Sequence, residues 1–249
     1  MGAVHRQHGR IARRLFKWLG VVLLGWVVLS VVAVLLLRWL NPLTSAMMFE
    51  ARVQAWVAQR HDYHTDYQWV SLEQISPHAA IAVVASEDQL FPFHEGFDFN
   101  SIRAAVRASE RGKHLRGAST ISQQVSKNLY LWSGHSFVRK GLEAYFTVLI
   151  EAMWPKERIL EMYLNIAQFG DGIYGVQAAS QRFWHKNARA LTSSEAALLA
   201  AVLPNPVQMH PDRPSRYVAM RREQILAQMR VLGGASYLKA LESERREPH

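Results

Sequence analysis

Residues 117–131 read Gly-Ala-Ser-Thr-Ile-Ser-Gln-Gln-Val-Ser-Lys-Asn-Leu-Tyr-Leu, with apolar side chains recurring at helical rather than alternating spacing from Ile121 to Leu131. The pattern predicts a helix with Ser119 and Thr120 at its N-terminus, where free backbone N–H groups favour anions. Gln123 and Lys127 are four residues apart, so one helix face presents both. Outward from this stretch the same period continues over 79–90, 97–108, 137–153, 159–169, 176–184, 196–203 and 217–232, and a helical polar-apolar stretch runs from Asn41-Pro42 to Arg60. Few period-two segments compete, so the fold class expected is mostly α. Pro155 stands where a first helical turn begins, and Thr192-Ser193-Ser194-Glu195 is a capping-box pattern. Residues 62–76 are aromatic, polar and irregular, and 110–117 read as a mobile basic connection.

The chain has 249 residues, 49% hydrophobic and 20% charged, which suffices for one or two domains with a core and excludes disorder. It has no cysteine, so disulfides, thiolate metal sites and cysteine nucleophiles are excluded. A net charge of +9 admits nucleic acid, a membrane surface or a phosphorylated ligand as partner. From Trp18 to Leu37 every residue except Gly20, Gly25 and Ser30 is apolar, a run long enough to cross a bilayer. Arg6, Arg10, Arg13, Arg14 and Lys17 precede it, and no acid occurs before Glu50. The positive-inside rule then gives a cytoplasmic basic tail over 1–17, a transmembrane helix over 18–37 and an extracytoplasmic domain over 38–249. A cleaved signal peptide competes, with Thr44-Ser45-Ala46 as its small-residue site, but the apolar run exceeds the ~7–15 residues of such a segment. Met47, Met48, Phe49, Val53, Trp56 and Val57 are expected to extend the membrane-contacting surface.

Residues 103–140 hold eight basic side chains against the single acid Glu110, beside an acidic stretch of Glu87, Asp88, Glu95 and Asp98 broken by Phe91, Phe93 and Phe97. Cations next to isolated carboxylates suit a reaction in which a phosphate leaves and a hydroxyl is deprotonated. Taken singly, each signal has a plainer reading. Glu87-Asp88 fits a solvated helix end, and His94 fits a hydrogen-bonded structural histidine. Glu143 lies four residues after Arg139 and three after Lys140, the spacing of a surface ion pair worth about 0.3–0.5 kcal/mol. Lys156, Arg158 and Glu161 fit a charged helix face over Ile159, Leu160, Tyr163 and Leu164.

In order along the chain, Glu87-Asp88-Gln89-Leu90-Phe91-Pro92-Phe93-His94-Glu95-Gly96-Phe97-Asp98, the 117–128 stretch, Arg139-Lys140-Gly141-Leu142-Glu143, Lys156-Glu157-Arg158-Ile159-Leu160-Glu161-Met162-Tyr163-Leu164-Asn165 and residues 196–206 resemble the five motifs of the peptidoglycan glycosyltransferases, glycosyltransferase family 51. The resemblance spans a motif core of about 75–206 and is to the monofunctional biosynthetic type. It implies a lysozyme-like helical head with a smaller membrane-associated jaw. It also implies polymerisation of lipid II into β-1,4-linked glycan strands with release of undecaprenyl pyrophosphate. No transpeptidase domain is expected, and Ser236-Tyr237-Leu238-Lys239, which matches the S-x-x-K pattern of a transpeptidase nucleophile, reads as coincidence.

By resemblance, Glu87 is the base that takes the acceptor proton. Glu143 is the second essential carboxylate, holding a divalent cation (Mg or Mn) on the pyrophosphate or orienting Arg139 and Lys140. Lys127, Arg139 and Lys140 meet the leaving pyrophosphate, and Ser119, Thr120, Gln123, Gln124, Asp88 and Arg116 complete the substrate-binding set. For Gln124 and Asn128, helix packing or capping is an equal alternative. Lys156, Arg158, Glu161 and Asn165 are expected to scaffold the cleft. That divalent cation is the one cofactor the resemblance leaves open. The partners implied are lipid II, the growing strand, membrane lipid and proteins of division or elongation, without nucleic acid, and the location is the bacterial inner membrane. A lytic enzyme and a non-enzymatic scaffold are the rival classes; the basic second and third motifs speak against the first, since cleavage needs no pyrophosphate-binding cations, and the intact carboxylates and basic motif speak against the second.

Overall fold

A computed structural model describes residues 2–110, 119–134 and 136–243. It divides into two units, residues 1–40 and 41–249. The first is helix α1, Gly2–Leu37, whose stretch Phe16–Leu37 has a mean hydropathy of 2.9. The large apolar side chains from Phe16 to Leu36 are mostly exposed, as expected of a helix whose solvent is lipid. Ser30 is satisfied inside the helix by donating to the Val27 carbonyl at 2.8 Å. The helix continues through the basic tail rather than beginning at Trp18.

The second unit is helical, with one small sheet among its described residues. Helix α2, Ala46–Val57, is capped by Ser45 and followed by β1, Asp66–Tyr67. Helix α3, Pro77–Glu87, starts behind Ser76 with proline in its first turn, and α4 spans Phe99–Glu110. Helices α5 (Ile121–Tyr130), α6 (Phe137–Met153) and α7 (Lys156–Ile166) follow. Then come β2 (Gln168–Gly170), β3 (Ile173–Tyr174), α8 (Val176–Trp184), α9 (Ser193–Val202), α10 (Arg216–Val231) and α11 (Lys239–Ser243).

Two helices are apolar on every face. Ala79–Ala85 of α3 and Ala196–Val202 of α9 are buried throughout, and a helix without a polar face belongs in a core. They pack on each other, and α10 packs across both. Their alanines permit close approach of the helix axes. Alongside this pair, α5 packs against α6 and α7, and α7 is buried over nearly its whole length. The Thr192 capping box forms as its spacing predicts, with Glu195 also bound to Lys186 at 2.5 Å.

The period-3.6 reading overran at several ends: the helix read to Leu90 stops at Glu87, and the stretch read to Arg60 stops at Val57. Residues predicted as helix to Phe169 leave α7 at Ile166 and enter β2, which pairs antiparallel with β3; β1 joins the other side of β3 in parallel register, Asp66 opposite Ile173. A short apolar run does not distinguish a helix end from a buried strand, and here the contact with the remote residues 66–67 decides it. Met48 also departs from expectation, since it is fully buried while Phe49, Val53, Trp56 and Val57 are exposed on α2.

Candidate active site

Glu87 is the last residue of α3, where the buried alanine-valine helix delivers a carboxylate to the rim of the core. Its Oε2 accepts a hydrogen bond from Gln124 Nε2 at 2.8 Å, and Gln124 Oε1 accepts from the Tyr163 hydroxyl at 3.1 Å. One amide is thereby fixed by α7 and itself fixes the carboxylate. Arg221 Nη2 of α10 stands 4.0 Å from the other oxygen, Oε1. Burial pushes the Glu87 carboxyl above its ordinary value, opposed by the Gln124 hydrogen bond and the charges of Arg221 and Lys127; neighbouring Asp88 adds to the rise. Glu87 is therefore not the solvated helix end that its position alone suggests. It lines a cleft of about 310 Å³ together with Asp88, Asp98, Ser101, Ser119 and Thr120.

Asp88, next in the chain, is committed to the scaffold. Its buried carboxylate receives His94 Nε2 at 2.9 Å and the backbone N–H of Ile121, the first residue of α5, at 3.0 Å. The Gly96 N–H donates to His94 Nδ1 at 3.1 Å, so Nε2 is the nitrogen that carries the proton toward Asp88. The loop closes on α5 at a second point, where the Thr120 hydroxyl donates to the Gly96 carbonyl at 2.7 Å. Gly96 has φ +84°, and a Cβ there would lie 2.8 Å from Thr147 Cγ2, so only glycine fits the bend. Thr120 and Gln123 form a reciprocal capping box. Both were expected to bind substrate. The Thr120 hydroxyl and the Gln123 carbonyl oxygen are instead occupied in starting the helix.

A second cleft of about 470 Å³ is lined by Ser119, Gln123, Gln124, Lys127, Trp132, Arg139, Lys140 and Glu143. Ser119, just ahead of α5, lines both clefts. Glu143 Oε2 accepts from Arg139 Nη1 at 2.8 Å, and its Oε1 accepts from Lys140 Nζ. The spacing is that expected of a surface pair, but Glu143 is only 3% exposed and Arg139 is buried with it, because this face of α6 lies against α5. Lys127 has no hydrogen-bond or ion-pair partner among the described residues. Burial holds its ammonium below the ordinary lysine value, with Arg139 and Lys140 lowering it further against Glu143 and Glu87. Three cations around one carboxylate make a pocket for an anion. Arg116 lies outside the described residues.

The donor set does not fit a divalent cation held by the protein. Both oxygens of Glu143 are taken by cationic donors, and no cluster of three His, Asp or Glu side chains occurs among the described residues. Glu143 contacts Arg139 and Lys140, the two cations that the alternative reading has it orient.

Behind both clefts sits a buried ionic node. Lys156 Nζ, at the start of α7, reaches Glu151 of α6 at 2.9 Å and the His94 carbonyl, while Ser122 of α5 also donates to Glu151. Lys156 and Glu151 are almost wholly buried, and Lys156 lies 4.8 Å from the Phe91 ring centroid. Further along α7, Arg158 pairs with Glu161 at 2.7 Å and covers Trp69, and Asn165 exchanges hydrogen bonds with the backbone of Val70. These four residues are the expected scaffold rather than a solvated helix face. The site residues that sequence reasoning missed are Tyr163, Ser122, Glu151 and Arg221. For Thr120 and Gln123 a signal was present, since T-x-x-Q is itself a capping-box pattern.

A helical domain that aims a desolvated carboxylate and a half-buried, unpaired ammonium into two neighbouring clefts is the framework of a group-transfer enzyme with an anionic leaving group. The Transglycosylase family matches residues 54–230. Curated relatives named biosynthetic peptidoglycan transglycosylase are similar over nearly the whole chain. The one from Xanthomonas campestris pv. campestris strain B100 is 50% identical over 231 residues, 93% of this chain and 94% of the relative. Those from Xanthomonas axonopodis pv. citri and Xylella fastidiosa strain 9a5c are each 51% identical, over 231 and 218 residues, covering 93% and 88% of this chain and 94% and 90% of the relative. The chain belongs to the transglycosylase family, the peptidoglycan glycosyltransferases whose motifs its sequence resembles.

Proposed function

We propose that the protein polymerises lipid II into β-1,4-linked glycan strands, with Glu87 as general base and the Lys127, Arg139 and Lys140 cluster as the site of the departing pyrophosphate. The observation that carries this reading is the pairing of the two clefts across α5. One holds a carboxylate clamped by Gln124, and the other holds an ammonium without a counter-ion. The acceptor 4-hydroxyl gives its proton to Glu87 as its oxygen forms a bond to the donor anomeric carbon. The bond from that carbon to the pyrophosphate oxygen breaks on the opposite face, and the electron pair leaves with undecaprenyl pyrophosphate. An α-linked donor thus yields a β product, by the logic of the base carboxylate in an inverting glycosidase. Charge growing on the leaving group is met by donors already in place.

Glu143 keeps Arg139 and Lys140 aimed and partly neutralised in the resting site. Helix α1 anchors the protein as a single pass in the inner membrane. The basic residues from Arg6 to Lys17 support a cytoplasmic N-terminus and a catalytic domain outside. Incubation of the full chain with labelled lipid II tests the activity. Glu87→Gln is expected to lose about 10²–10⁴-fold in turnover while still binding lipid II. Near-normal polymerisation by that variant rules out Glu87 as base, and digestion of intact cell wall in place of polymer formation assigns the cleft to a lytic reaction.

A further inference from the structure

Glu87 is met from several sides. Asp88 follows it in the chain, Gln124 and Lys127 come from α5, Tyr163 from α7 and Arg221 from α10. Four of these lie within the motifs read from the sequence; Arg221 lies beyond them, on a helix whose nearest motif ends at Pro206.

Arg221 does not behave as a surface arginine. Its side chain is 26% exposed, and its Nε is shut away from solvent with no hydrogen-bond partner among the described residues. Its neighbour Arg222 takes the ordinary course and pairs with Glu223 on the outside. A buried donor left unpaired is unfavourable and calls for a reason. The geometry supplies one. Nη2 is directed to Glu87 Oε1 at 4.0 Å, beyond hydrogen-bonding distance but close enough for charge to act in a partly dry site. The other oxygen, Oε2, is held by Gln124 at 2.8 Å.

We propose that Arg221 is a positioning residue for the reaction: its guanidinium keeps the Glu87 carboxylate ionised without occupying the Oε1 lone pair, leaving that oxygen free to take the acceptor proton. This rests on the reading of Glu87 as base. A carboxylate buried without a compensating charge would hold a proton at working pH and be useless as a base. Direct hydrogen bonding to both oxygens would instead weaken its basicity and block its approach to the hydroxyl. Gln124 on one oxygen and an arginine set back from the other meet both demands.

The test compares Arg221→Gln, Arg221→Lys and Glu87→Gln in the full chain, using lipid II turnover as a function of pH beside a thermal melt. Removing an opposite charge at this range raises a carboxyl pKa by about one unit or more. Arg221→Gln is therefore expected to move the acid limb of kcat/KM upward by about one pH unit, with turnover recovering at higher pH. Arg221→Lys keeps the acid limb in place and lowers kcat. An unshifted acid limb in Arg221→Gln, or a loss equal at every pH, overturns the proposal. If Arg221→Gln does not fold, an upward shift in Arg221→Lys overturns it. Turnover by Glu87→Gln overturns the reading of the base itself, a result separate from either outcome at Arg221.

Discussion

Two residues carry opposite distortions of their acid strength, and these set the expected pH response. Glu87 is displaced upward and, as the proposed base, works only when ionised, so turnover is expected to rise with pH through a value above the ordinary glutamate range. Lys127 is displaced downward and works only when charged, so turnover falls again below the ordinary lysine value. The profile is expected to be a bell, and its alkaline limb is checked with Lys127→Arg. Arginine does not deprotonate in this range, so the variant should keep part of the activity and lose the alkaline limb; persistence of that limb assigns it to another group. The same displacements act on stability. Glu87 favours the fold while protonated, and that contribution is lost as pH rises through its raised folded-state value. The melting temperature of Glu87→Gln at neutral pH is thus expected to equal or exceed that of the parent protein. Lys127→Ala should likewise lower lipid II turnover by about 10²-fold or more without lowering the melt, because it removes a partly desolvated charge that has no partner among the described residues. A parallel loss of activity and stability would make Lys127 a structural lysine.

At the scale of elements, the site is held by helix ends and by one loop. Glu87 closes α3, Thr120 opens α5, and Lys156 opens α7; residues 88–97 continue from the first and are tied to the other two by Asp88, Gly96 and the His94 carbonyl. Breaking a buried pair leaves one charge stranded, at a cost of about 3–5 kcal/mol. Lys156→Met is therefore expected to lower the melting temperature by about 10 °C, and Glu151→Leu added to it should restore part of the loss. A single variant melting with the parent protein would show that the node contributes nothing. The sequence made these helices legible because their apolar period is local. Burial of a polar residue is not local, which explains what the sequence left hidden at three places. Arg139 and Glu143 have the spacing of a surface pair, and only the packing of α5 against that face makes it interior. Asp88 reads as an acid beside the base, and only the fold brings Ile121 N–H onto it. Arg221 is one arginine among several on α10, distinguished by a carboxylate 134 residues earlier in the chain.

At the scale of the whole molecule, the +9 charge separates into unlike parts. Six of the basic residues lie within the first forty, around the apolar helix, and are the proposed orientation signal. Protease added to intact spheroplasts is expected to digest residues beyond the anchor while sparing a tag at the N-terminus; the reverse pattern would invert the assigned orientation. Within the domain, the basic residues that face the clefts stand on α5 and α6, beside the carboxylate that ends α3. Helix α5 carries Gln124, which holds the proposed base Glu87, and Lys127, the proposed partner of the departing anion. Three residues of helix separate them, an axial step of about 4.5 Å. The span between the point of proton removal and the point of charge release is therefore set by the repeat of a rigid rod capped at Thr120, independent of movement in the surrounding loops. A chain that must advance sugar by sugar meets the same gauge at every addition.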